Sequence, residues 1–161
     1  MTLSPTQAAA GARWIAVGRA ILGITAMVVP GVVGRSWVGA DAEQTGTKVF
    51  ARAMGGRDLV IGLGTLTAMG ERENDDTLVS ASRWIALGGV ADLADFTATV
   101  LSWQRLPKLN RWLVAGIAGG SAVASLVLAR KLLGADNDTA DSYYDDETPR
   151  DSFDQEYAAQ L

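Results

Sequence analysis

The chain contains neither cysteine nor histidine. Without cysteine there are no disulfides, no thiolate nucleophile, no lipobox and no palmitoylation site. Without histidine there is no imidazole acid–base chemistry and no His-ligated haem, and the double absence excludes Cys/His zinc sites. No catalytic motif fills the gap: the glycines around Gly55 lack the phosphate-loop signature and follow no strand. An enzyme built on this chain would have to work through carboxylates alone. The reading is therefore non-enzymatic, with no catalytic residue, no cofactor and no metal expected. The first basic residue is Arg13, so the basic n-region of a secretory signal is missing too.

Charge is scarce in the body and crowded at one end. Residues 134–161 carry nine acidic residues and one basic residue, while the body is slightly basic. The pI of about 4.7 therefore describes the tail. Rich in Asp, Ser and Thr without apolar periodicity, the tail reads as a disordered acidic extension. The body's Lys and Arg are scattered at segment ends rather than gathered in a patch, so nucleic acid is not a partner.

What is present is long apolar stretches punctuated by tryptophan. Trp14, Trp37, Trp84, Trp103 and Trp112 stand near their ends, where indole rings settle at a headgroup boundary. Four spans are expected, at about 12–33, 53–69, 78–103 and 109–133. Each reaches the roughly 30 Å of hydrocarbon at 1.5 Å per residue, the second only just. Pro30 and Pro107 close the first and third. Short loops imply antiparallel neighbours. The expected fold is all-α: residues 1–133 form a four-transmembrane-helix up-down-up-down bundle, followed by the tail at 134–161. The connection from Gly34 to Phe50 is long enough for a short helix lying in the interface. A water-soluble bundle would need a polar stripe on every helix. The stretch Leu113–Ala129 has no charge at all, and Ile15–Val33 has one. Lys and Arg are divided almost evenly between the two sides, so the positive-inside rule assigns no orientation.

A short motif recurs: Arg13-Trp14-Ile15-Ala16-Val17-Gly18 and Arg83-Trp84-Ile85-Ala86-Leu87-Gly88. Both copies open an odd-numbered span. Either a duplicated two-helix unit or convergence on an Arg-Trp interfacial anchor would produce this.

Five ionisable residues fall inside the expected spans: Arg19, Arg57, Asp58, Asp92 and Asp95. Each costs about 2.5–3.5 kcal/mol near the bilayer centre, so the third span, with two aspartates, barely inserts alone. Arg19 lies roughly 10 Å inside the start of its span and Asp92 roughly 12 Å beyond Trp84, from the same face. Arg57 and Asp95 lie within arginine reach of each other from the opposite face. Two cross-helix pairs follow, Arg19–Asp92 and Arg57–Asp95. Asp58 adjoins Arg57 in sequence, so it is expected to face elsewhere and meet Arg52 or Arg105 near the surface. This intramembrane polar core is either a structural ion-pair network or a site for a proton, a cation or a lipid headgroup. In the fourth span, Gly116-xxx-Gly120 permits close helix packing, within the chain or in a homodimer.

Gly18-Arg19, Leu22-Gly23 and Pro30, then Arg52, Gly55-Gly56-Arg57-Asp58-Leu59 and Gly62-Leu63-Gly64, resemble an uncharacterised group of small bacterial four-helix integral membrane proteins. More distantly they are similar to DoxX-like proteins. The resemblance covers about 12–133. It implies a multi-pass protein of the bacterial plasma (inner) membrane and carries no established activity with it. The functional expectation is an accessory or scaffold component of a membrane complex, with the bilayer and a membrane-protein partner as its contacts. The alternative is a small transporter or sensor that binds a proton, cation or small ligand through the Asp/Arg core.

Overall fold

The computed structural model describes residues 4–70 and 75–146. Among these the chain is helical throughout, without a strand. In order come α1 (Pro5–Val28), α2 (Pro30–Val38), a five-residue 3-10 turn (Gly39–Glu43), α3 (Thr45–Ala68), α4 (Asp75–Leu101) and α5 (Lys108–Asp146).

The helix ends follow local chemistry. Ser4 caps α1 by accepting from the Gln7 N–H, while the Gln7 side chain accepts from the Ser4 N–H. This reciprocal arrangement starts α1 at Pro5, earlier than its apolar pattern does. Val29, just before Pro30, leaves the helical region (φ −124°, ψ 62°), because a proline disfavours helical backbone in the residue it follows. The short helix anticipated within 34–50 instead begins at Pro30 and ends at Val38. Gly39 ends it with φ 65°, and a Cβ there would stand 2.8 Å from Pro107 Cγ. Only glycine serves at that corner. Beyond it, Glu43 accepts from Arg35 (3.0 and 2.5 Å) and Lys48 (2.9 Å). These bonds, Lys48's first, hold its carboxyl below the ordinary value of 4.5. The backbone of α5 stays helical to Asp146, past Leu133, where the apolar pattern stops. The acidic tail from residue 147 onward lies outside the described residues.

Among the described residues, three helical segments are long and apolar enough to cross a membrane: Thr6–Val28, Leu78–Leu101 and Lys108–Gly134. α3, the expected second span, has the length but carries Lys48, Arg52, Arg57 and Asp58.

The contacts place sequence neighbours antiparallel. A Cβ on Gly23 would meet Gly55 O and Leu59 N at 2.6 Å, and one on Gly62 would meet Ala16 O at 2.7 Å. α1 and α3 therefore touch backbone to backbone. Gly64 lies against the Trp84 ring and Gly119 against Phe96, which seats α3 on α4 and α4 on α5. Arg13 donates to Met69 O at one end of the molecule, and Asn110 donates to Arg35 O at the other. The two Arg-Trp motifs have different surroundings: Trp14 is exposed, while Trp84 is packed on Gly64.

Side-chain volume is distributed inside out. Twelve of the sixteen buried hydrophobic residues are alanine, while Ile21, Val28, Val60, Val90, Leu101 and Ile117 point outward. Water disfavours such a surface by about 25 cal/mol per Å2, whereas lipid favours it and leaves small residues to the helix contacts. Trp103 and Trp112 meet edge to face at 4.7 Å where α4 turns into α5, with Arg111 over the Trp103 ring.

Candidate functional site: a charged cluster at one end of an apolar cavity

Four helices contribute to one polar cluster. Arg19 of α1 donates through Nη1 to Asp58 Oδ1 (3.0 Å), and through Nη2 to Gly88 O (2.9 Å) and to Asp92 Oδ2. Ser121 of α5 donates to the same Asp92 oxygen at 2.6 Å. Arg57 of α3 grips Asp95 with two parallel bonds, 3.1 and 2.8 Å, and reaches Asp58 Oδ1 at 3.3 Å. Arg19, Asp58 and Asp92 are each more than nine-tenths buried.

Both pairs anticipated from membrane depth are thus formed, because Asp92 and Asp95 are three residues apart and share one face of α4. Asp58 corrects the sequence reading. It meets neither Arg52, which donates to Met27 O, nor Arg105, but instead bridges Arg19 and Arg57. One residue along a helix turns the Cβ by about 100°, which points Asp58 inward between α1 and α4. Arg57 starts from the flank, and its long side chain curls back to the same place.

Gly116 and Gly120 are the second correction. A Cβ on either would meet nothing within 4 Å, so neither packs within the chain. The row that does pack is Ala115, Ala118, Ala122 and Ser125, all buried, with Gly119 beside Phe96. Small residues occupy two adjacent rows of α5, and the motif picks out the outer one.

Two participants carry no charge to mark them in the sequence. Gly88 supplies a carbonyl to Arg19, and a Cβ there would lie 3.0–3.1 Å from the guanidinium. The glycine four residues before Asp92 was the available signal. Ser121 was recognisable only as a small residue.

The cluster forms one end of a half-open cavity of about 610 Å3 lined by residues of all five helices. Ile15, Leu22, Met54 and Val114 make apolar walls, and Arg19, Asp58, Asp92, Asp95 and Ser121 face it at the polar end. α2 closes it with Val33, Trp37 and Val38. The Trp37 indole donates to Thr99 Oγ1 at 3.1 Å, and that hydroxyl donates to Asp95 O at 2.8 Å. The roof is thereby tied to the helix that carries the acids. Sequence reasoning missed the cavity altogether. Its size falls within the range of small-molecule sites, which are largely apolar with a few convergent polar groups.

No protein-family model, curated protein or solved structure matches the chain.

Proposed function

We propose that this chain is a four-span protein of the bacterial plasma membrane that binds a small ligand in its interior, as a sensor or carrier rather than a catalyst. The observation that carries the reading is the cavity: a half-open, largely apolar space of about 610 Å3 with one charged end. A purely structural ion-pair network needs no void beside it, since close packing is the default for protein interiors.

In this reading α3 is the fourth crossing. Its 24 residues reach about 36 Å. Arg57 and Asp58 would together cost about 5–7 kcal/mol on insertion alone. Their partners on α1 and α4 offset that cost, as the Met27 carbonyl does for Arg52. The antiparallel contacts then make an up-down-up-down bundle with α2 lying in the interface. The resemblance to small bacterial four-helix membrane proteins agrees with this arrangement. The accessory or scaffold alternative rests on the acidic tail, most of which lies outside the described residues, so the cavity favours ligand binding.

The test is thermal unfolding of the full chain in phosphatidylcholine nanodiscs with dodecanol added. Binding should raise the transition in a concentration-dependent way. Gly18→Phe and Ala51→Leu, both at the cavity wall, should abolish the rise. Gly120→Phe, on the outer row of α5, should not. No rise in the wild-type chain, or equal rises in all variants, would remove the proposal.

A further inference from the structure

The five charges at the end of the cavity do not balance. Arg19 and Arg57 face Asp58, Asp92 and Asp95, so three acids meet two bases. The sequence reading sent Asp58 to a surface arginine and left the core neutral, whereas the structure puts it inside. Both terminal nitrogens of each arginine already donate to these acids.

Two carboxylate oxygens remain. Asp58 accepts only at Oδ1 and Asp92 only at Oδ2. Among the described residues, Asp58 Oδ2 and Asp92 Oδ1 accept no hydrogen bond, although the two residues are only 7% and 8% exposed. Neither atom is among the sealed, orphaned polar atoms of the interior. Both residues border the cavity, which is the route by which a donor could reach these oxygens.

We infer that the ligand of this cavity is an amphiphile with a single positive charge, its ammonium group held between Asp58 and Asp92 and its apolar body along Ile15, Leu22, Met54 and Val114. The inference rests on the ligand-binding reading above. An ammonium supplies the missing charge and up to three donors to acceptors that lack them. An anionic head would meet an acid excess, and Arg19, which borders the cavity, already donates to Asp58, Gly88 and Asp92. A metal ion is a poor fit as well: among the described residues no three acidic side chains group as metal ligands, and the chamber is far larger than an ion and mostly apolar.

The experiment compares dodecylamine, dodecanol and dodecanoate, three probes with one chain and three head charges. Each is titrated against the full chain in phosphatidylcholine nanodiscs, with empty nanodiscs as the partition control. Dodecylamine should bind about tenfold or more tightly than dodecanol, the range for a hydrogen bond to a charged group. Dodecanoate should bind most weakly. Equal binding of dodecylamine and dodecanol, or tightest binding of dodecanoate, would overturn the charge assignment and leave the cavity reading standing. If none of the three binds, the ligand-binding reading falls and this inference falls with it. Asp92→Asn should keep dodecanol binding and lose the preference for the amine. Asp58→Asn reads the same point should the first variant not fold, and an undiminished preference in either would sink the proposal.

Discussion

Arg57 and Asp95 meet through two parallel hydrogen bonds, Nη1 to Oδ1 at 3.1 Å and Nη2 to Oδ2 at 2.8 Å. This fork fixes the register of α3 against α4 more firmly than either helix's apolar surface, which slides on its neighbour at little cost. The Arg57 side chain is 30% exposed and that of Asp95 17%, so the pair lies between the surface and buried limits.

Breaking that fork should cost more than deleting it. Arg57→Ala leaves Asp95 unpaired and should destabilise the bundle by about 2 kcal/mol, between the values for exposed and buried pairs. Arg57→Met combined with Asp95→Leu should recover most of the loss. Unfolding of the single and double variants in lipid nanodiscs checks this, and a double variant worse than Arg57→Ala would contradict it.

The two kinds of glycine should respond in opposite directions. Gly55→Ala forces a Cβ to within 2.7 Å of Gly23 O and 2.8 Å of Ala26 Cβ, so α1 and α3 must part, at about 1–3 kcal/mol or more. Gly120→Ala meets nothing within 4 Å and should leave stability unchanged or raise it by up to about 1 kcal/mol through helix propensity. Thermal melts of the two variants side by side decide the matter.

How much of this was legible beforehand differs from residue to residue. Depth along a helix follows from counting, which is why Arg19–Asp92 and Arg57–Asp95 could be paired without coordinates. Azimuth is harder, because a long arginine can reach a partner well off its own face, and so the inward turn of Asp58 was lost. Gly116 and Gly120 do not pack within the chain because a helix of 3.6 residues per turn sets two rows of small residues side by side, and composition does not say which row finds a neighbour there. The extra length of α5 was hidden because the apolar pattern ends before the helix does. The cavity was beyond reach, since it depends on how far α2 holds the long helices apart.

The roof of the cavity hangs on a hydrogen bond that can be removed alone. Trp37→Phe keeps the ring and deletes the indole donor to Thr99. The loss should be about 1 kcal/mol and should concentrate in α2. Amide hydrogen exchange should quicken across residues 30–38 and stay unchanged in α4. Uniform acceleration over the whole molecule would show that the bond supports the bundle and not the roof.

Acid should loosen the corner between α2 and α3. Glu43 is held below its ordinary value of 4.5 by Lys48 and Arg35. Its contribution is therefore fully present above that value and fades as the pH falls through the lower, folded-state pKa. Carbon-13 NMR of the Glu43 carboxyl should give a midpoint under 4.5. In Lys48→Ala the midpoint should move back up, and an unshifted titration in that variant would refute the assignment.

Ser125 has a fully buried hydroxyl with no partner among the described residues. Replacing it with alanine removes an unsatisfied group from a tight contact with Gly89 and should raise stability by about 1 kcal/mol. A lowered melting point would mean that the oxygen is satisfied after all.

Helix seams built mainly from alanine and glycine invert the usual logic of mutagenesis. Truncation scanning would pass through these contacts nearly blind, since there is so little to cut away. Enlarging residues one methyl at a time is what would map the helix seams.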